Sequence, residues 1–260
     1  MVEFHVSQYD VEQFLLILVR ISSFMFTAPI FSMSGTTPKK LRVGFAVAVS
    51  LLIFPLVAKE NVIYDSMWAY MGITVKEAAV GMLIGFMANV CINIISFAGM
   101  VIDMQIGFAM VTLFDPTTRE QTSITGTMYM YFVMLLLVVT NMYQYIIRAV
   151  VDSYQLIPVN GAIIHAENLL TLLLRYTTDC FVVGFRIVLP FFTVTLLLDV
   201  ILGILAKIAP QMNMFVIGMQ LKIFVGFTVM IITAALLPSV AQFIFTEMKT
   251  MMVAVMEAMS

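Results

Sequence analysis

Residues 99–127 read G-M-V-I-D-M-Q-I-G-F-A-M-V-T-L-F-D-P-T-T-R-E-Q-T-S-I-T-G-T, and the reading of this stretch decides the fold. Met104 to Phe114 is a run of 11 residues without a charge, with Asp103 before it and Asp115-Pro116 at its end. A solvated connecting loop is polar. A helix that crosses a bilayer needs ~20 apolar residues, more than this run supplies. A short apolar segment between long apolar neighbours is either re-entrant or a plug in a cavity. Pro116 disfavours helix at Asp115, so the chain turns there. Gly107 admits backbone geometry closed to other residues, which lets the chain fold back just before Phe108. The stretch from Gln105 to Pro116 therefore reads as a buried, functional loop, with Phe108, Met110 and Phe114 as apolar bulk that fills a pore. The plainer alternative is a helix extension that only packs.

The rest of the chain supplies the apolar neighbours. Of its 260 residues, 62% are apolar and 11% charged, and the mean hydropathy is +1.06. A soluble domain carries about 25% charged residues. The net charge of -2 gives no basic surface for nucleic acid. Cys91 and Cys180 both lie in apolar runs, and their spacing fits neither a metal site nor a redox pair. They read as small buried hydrophobes. Met1-Val2-Glu3-Phe4-His5 lacks the positive start of a cleavable signal, so the first apolar segment is kept as a helix.

Outward from the central stretch, Phe14 to Met33 reads as a first helix interrupted by Arg20. An arginine inside a membrane segment either faces protein or water, or snorkels to the near interface. Ser34-Gly35-Thr36-Thr37-Pro38 is a turn, followed by Lys39, Lys40 and Arg42 and the apolar run Val43 to Ala58. Lys59 to Glu77 reads as a mixed linker whose Tyr64, Trp68 and Tyr70 suit a membrane interface. Ala78 to Ile102 is uncharged, and Gly81, Gly85, Asn89 and Asn93 recur in it at helical spacing. Gly81 and Gly85 admit close contact with another helix, of this chain or of a partner.

Beyond the central stretch, Gln121 to Ile147 is again uncharged. Leu169 to Ala206 forms one or two helices, with Pro190 expected to kink or break it. Lys207 to Asn213, with Pro210, joins it to Phe215–Leu237 as a helical hairpin. The tail places Phe243, Met248, Met251, Met252, Val255, Met256 and Met259 near a 3.6-residue period, an amphipathic helix for an interface or a partner. The expected fold is an all-α integral membrane protein, one domain over 1–260. About six hydrophobic helical segments form helical hairpins, with an apolar plug-like loop in the middle. Orientation does not follow from charge. Lys39, Lys40, Arg42, Arg119 and Lys207 on one side balance Lys59, Lys76, Arg148, Arg175 and Lys249 on the other.

Three blocks of residues carry a family resemblance. The first is Asp103-x-Gln105-x-Gly107-Phe108 with Asp115-Pro116 and Gln121. The second is Asp199, Leu202-Gly203, Ala209-Pro210-Gln211-Met212-Asn213-Met214-Phe215 and Ile217-Gly218-x-x-Leu221-Lys222. The third is Arg20, Pro29, and Pro38 followed by Lys39, Lys40 and Arg42. In register along essentially the whole chain, they resemble the FliR family, a membrane subunit of the flagellar type III protein export gate. Two positions depart from it: Gln220 stands where the family often has proline, and no His or Gly follows Asn141.

The resemblance implies FliP-like and FliQ-like gate subunits as partners, with FlhB-like and FlhA-like export components outside them. It implies unfolded flagellar proteins as the substrates. It also implies a place in the bacterial cytoplasmic membrane, within the flagellar basal body, and a conical assembly rather than a flat bundle of helices.

No phosphate-binding loop, nucleophile elbow or His-Glu-x-x-His is present, so no enzyme activity and no cofactor are expected. The chemistry lies instead in ionisable residues within apolar runs: Arg20, Arg186, Asp199 and Lys222. They read as contacts between subunits, as a proton or ion path, or as snorkelling charges. Arg20, Gly81, Gly85, Asn89, Asn93, Asp199, Pro210, Gln211, Asn213 and Lys222 are the candidate assembly residues. The competing function is a small secondary transporter or ion channel that uses Asp199 or Lys222. Methionine, 23 residues of the 260, is the second oddity. Its flexible side chain suits a seal around varied unfolded chains, and equally serves as apolar filler.

Overall fold

The computed structural model describes residues 8–32, 38–57, 64, 66–108, 123–163, 165–211 and 213–260. Among these the regular structure is helical, as the apolar runs predict. The helices are α1 (Gln8–Thr27), α2 (Pro29–Ser32), α3 (Lys39–Ile53), α4 (Met67–Ile106), α5 (Ile124–Val139), α6 (Met142–Leu156), α7 (Ala166–Ile208), α8 (Met214–Ala234) and α9 (Leu237–Glu257).

Two compact units emerge from the contacts. The first comprises Met1–Val90, Asn141–Tyr176 and Thr246–Ser260; the second comprises Cys91–Thr140 and Thr177–Phe245. In the first unit α1 buries Leu16, Ile17, Arg20, Ile21, Phe24 and Met25, and Ala28 just past its end is buried as well. That spacing is one helical stripe, so Arg20 falls on the core face by register. The end of α9 buries Met248, Met251, Met252, Val255 and Met256 in the same unit; Met259, just past the helix, is buried too, and its carbonyl accepts from the Ile163 N–H at 3.0 Å. The expected amphipathic tail is therefore packed within its own chain. Phe243 departs from the expected stripe and is exposed.

The all-α class holds, but the span count is lower than six. Among the described residues three helices are long and apolar enough to cross a membrane, α4, α7 and α8, or four spans if α5 and α6 act as one broken span. Several causes combine. α3 has 15 residues, about 22 Å of helix against ~30 Å of hydrocarbon. α1 carries Asp10, Glu12, Gln13 and Arg20 within its 20 residues. Leu169 to Ala206 is one helix, because Pro190 sits inside α7 without ending it.

The proposed linker before Glu77 is also helical from Met67 onward, which lengthens α4 to 40 residues, about 60 Å. Helix breakers are few there, and Tyr70 ties it down by donating to the Glu12 carbonyl at 3.1 Å. The apolar run Gln121 to Ile147 is broken after Thr140, where Asn141 takes a left-handed φ of 55° and α6 restarts. Asparagine is among the few residues that enter this region at low cost.

Candidate functional site

The second unit builds an anchor at the base of the central stretch. Asp103, in the last turn of α4, is buried. Its carboxylate accepts the Ser123 hydroxyl at 2.7 Å and the Thr125 N–H at 3.2 Å. The Ser123 hydroxyl in turn accepts the Gly126 N–H at 2.8 Å, capping α5. A negative group is thus held at a helix N-terminus, where the free N–H groups and the dipole favour it. Just below, a Cβ on Gly99 would lie 2.1 Å from the Gly126 Cα, so α4 and α5 touch backbone to backbone. Both ends of the stretch between Gly107 and Ser123 are therefore fixed at one place. The sequence reading noted Asp103 as a boundary and passed over Ser123, Gly99 and Gly126. An acid followed twenty residues later by Ser-x-Thr-Gly at a helix start is the signal that was available.

At the exit from α4, Gly107 has φ +98°. This is the left-handed geometry expected of it, strained for any residue with a Cβ. Gln105 receives a long contact, 3.5 Å, from the Thr195 hydroxyl of α7. Phe108 packs edge-to-face against Phe227 of α8, with ring centroids 5.6 Å apart. A Cβ on Gly226 would lie 2.6 Å from Ile106, so α8 also seats against the end of α4. Gln105, Gly107 and Phe108 are thus held among α4, α7 and α8. Met110, Phe114, Asp115 and Pro116 lie outside the described residues.

In the same unit Lys222 of α8 meets Asp199 of α7 at 2.6 Å. The two charges read as subunit contacts form an ion pair within the chain. The pair is partly open, with 25% of the lysine and 51% of the aspartate side chain accessible. Pro210, Gln211 and Asn213 form the exposed turn between α7 and α8, and Asn213 caps α8 through the Val216 N–H at 3.4 Å. Cys91 and Cys180 are both buried, each as a thiol rather than half of a disulfide. Among the described residues no three His, Cys, Asp or Glu side chains gather in one place.

The first unit contains the other buried charge. Arg20 Nε pairs with Glu77 Oε2 at 2.5 Å, and both side chains are fully buried. The guanidinium donates to the Ile157 carbonyl at 2.9 Å and stacks over the Tyr154 ring at 4.2 Å. The other Glu77 oxygen accepts the Asn160 N–H at 3.0 Å. Arg20 was expected to meet another subunit or to snorkel; it is consumed inside its own unit, because α1, α4 and α6 enclose it. Glu77, read as the end of a linker, was missed as its partner. Gly81 and Gly85 are likewise filled from within: a Cβ on each would lie 2.1 Å from the Arg20 carbonyl oxygen and the Thr27 hydroxyl oxygen. Their expected close contact is with α1 of this chain. Asn89 is half-buried in this unit, and Asn93 is exposed in the other.

With this geometry in place, comparison with known proteins gives one direction. Residues 11–248 match the model of the family described as bacterial export proteins, family 1. The chain is 30% identical over 236 residues to the flagellar biosynthetic protein FliR of Bacillus subtilis, covering 90% of each chain. It is 29% identical to the protein of the same name in Escherichia coli, over 87% of this chain and 84% of that one. It is 24% identical to the secretion system apparatus protein SsaT of Salmonella typhimurium, over 78% of this chain and 80% of that one.

Proposed function

The chain belongs to the bacterial export proteins, family 1, and from that premise we propose that it is a membrane subunit of a flagellar type III protein export gate. The observation that carries this reading is end-to-end similarity to flagellar biosynthetic proteins, 90% of each chain in the Bacillus subtilis case. A secondary transporter that couples through Asp199 or Lys222 is not favoured: neither the family nor the relatives are transporters of that kind.

The chain sits in the bacterial cytoplasmic membrane through its apolar helices, and within the flagellar basal body. It helps form and close a pore for unfolded flagellar proteins, alongside FliP-like and FliQ-like subunits, with FlhB-like and FlhA-like components outside them. Gln105 to Pro116 is the closing element. Its support is physical: the run is apolar, its base is fastened by Asp103, and Gly107 turns the chain away from α4. A segment fixed at both ends can fill a constriction without a rigid fit, and its loss leaves the anchoring helices in place. Substrates would pass as extended chains, which explains adaptable Met and Phe side chains rather than shaped polar pockets.

The test is electrical. The gate, purified with its partners and reconstituted in planar bilayers, is expected to be tight. Deletion of Phe108 to Leu113 is expected to preserve co-purification of the partners and to open an ion conductance. An assembled deletion variant as tight as its parent would remove the closing role from this stretch. Failure of the chain to restore swimming in a strain lacking its own copy, and to co-purify with FliP-like and FliQ-like proteins, would remove the flagellar assignment.

A further inference from the structure

The cavity beside Arg186 in the second unit holds a charge that the described residues leave unanswered. Arg186 lies midway along α7, is exposed, and makes no ion pair or hydrogen bond among the described residues. The nearest acid on its own helix, Asp179, is seven residues away, about 10 Å along the axis and beyond pairing distance. With Val183 and Ile187 of α7, and Ser239, Val240 and Phe243 of α9, Arg186 lines a cavity of about 210 Å³. The Ser239 hydroxyl already donates to the Leu236 carbonyl at 2.7 Å, so recognition of charge in this cavity rests on the guanidinium.

The position of Arg186 along α7 says what it faces. Ile187 to Ala206 carries one charge, Asp199, and that charge is paired with Lys222. At 1.5 Å per residue the stretch is about 30 Å long, the thickness of the hydrocarbon layer. Arg186 and Lys207 stand at its two ends, the depth at which cations meet headgroups. Phe185 and Leu189 flank Arg186 and are each 55% exposed, an apolar surface suited to acyl chains.

We propose that this cavity binds the headgroup phosphate of an anionic phospholipid. The planar guanidinium matches a phosphate bidentately. Val183, Ile187, Val240 and Phe243 take up the first methylenes below it. A cation at the mouth of an apolar slot complements an amphiphile, whereas a partner's carboxylate would gain nothing from the slot. The inference needs only that the chain lies in a membrane; it does not depend on what the gate exports.

The full chain, purified from its membrane with whatever subunits accompany it, is placed in phosphatidylcholine nanodiscs containing a minor fraction of phosphatidylglycerol. Native mass spectrometry reads the lipids retained. The wild-type chain is expected to retain phosphatidylglycerol in preference, and Arg186→Gln to lower that preference about fivefold. Val183→Trp, which fills the cavity and keeps the charge, is expected to lower retention as well. Equal preference in the wild type and Arg186→Gln overturns the proposal. So does loss of an accompanying subunit in Arg186→Gln with lipid retention unchanged, an outcome that assigns Arg186 to a protein carboxylate. Should Arg186→Gln fail to accumulate, phenylglyoxal labelling of Arg186 in the wild type decides. Protection by phosphatidylglycerol and not by phosphatidylcholine supports the site, and no protection overturns it.

Discussion

Removing either partner of the Arg20–Glu77 pair is expected to cost far more than removing both. Both side chains have no accessible surface, so neither charge can be rescued by water. Glu77→Leu leaves the guanidinium with the Ile157 carbonyl, the Tyr154 ring and weaker contacts, but without a counter-charge. An uncompensated buried charge of this kind costs ~3–5 kcal/mol. Glu77→Leu also deprives the Asn160 N–H of its acceptor, a smaller cost because Asn160 is exposed and water can replace the lost partner. Arg20→Met mirrors this, leaving the buried Glu77 carboxylate with the Asn160 N–H and no counter-charge.

The double variant, Arg20→Met with Glu77→Leu, removes both charges and keeps the volume apolar. Buried pairs exchanged in this way are often neutral or better. The unpaired Asn160 N–H and Ile157 carbonyl remain as a residual cost. The double variant is therefore expected to be at least ~2 kcal/mol more stable than Glu77→Leu alone. The assay is thermal unfolding of the chain in mild detergent with its partners, on all four members of the cycle, read by retention of the monodisperse peak. A double variant as unstable as the sum of the single variants would refute the reasoning. The cost would then lie in packing and hydrogen bonds around Tyr154 and Asn160 rather than in the charge.

Other predictions concern the second unit. Asp103→Ala removes two charge-assisted bonds and a helix anchor, ~2–4 kcal/mol, and should raise the basal ion conductance of the assembled gate; Asp103→Asn should fall between it and the parent. An unchanged conductance would mean that the loop base is fastened elsewhere. Gly107→Ala forces a Cβ into φ +98°, a strain of ~1–3 kcal/mol, and should give a partial leak without loss of assembly in the same bilayer recording. Gly99→Val drives α4 and α5 apart and should abolish accumulation of the chain in membranes, as measured by immunoblot. Asp199→Ala or Lys222→Ala should each lower recovery of the gate complex, while the exchange Asp199→Lys with Lys222→Asp should restore it. Full recovery of the complex with either single change would show that the pair is dispensable for assembly.

The sequence by itself determined the helical class, most of the apolar segments, the turn at Pro210 and the conformation of Gly107. These follow from hydropathy, period and the stereochemistry of single residues, which act over a few positions. The spacing of Leu16, Arg20 and Phe24 even contained the burial of Arg20, since all three share one face of α1. What answers that charge was beyond its reach: Glu77 is 57 residues away. The same holds for Asp103 with Ser123 and for Gly99 with Gly126, where residues spaced 20 and 27 apart meet. It also holds for Asp199 with Lys222, where two charges read as contacts with another subunit neutralise each other across a turn. The number of spans was likewise a tertiary matter. An uncharged run long enough to cross a membrane is broken at Asn141, and Pro190, expected to kink or break its segment, does not end α7. Composition states that a segment is apolar. Whether it is sheathed by lipid or by its own chain depends on which faces find partners, and that is decided only when the chain has folded.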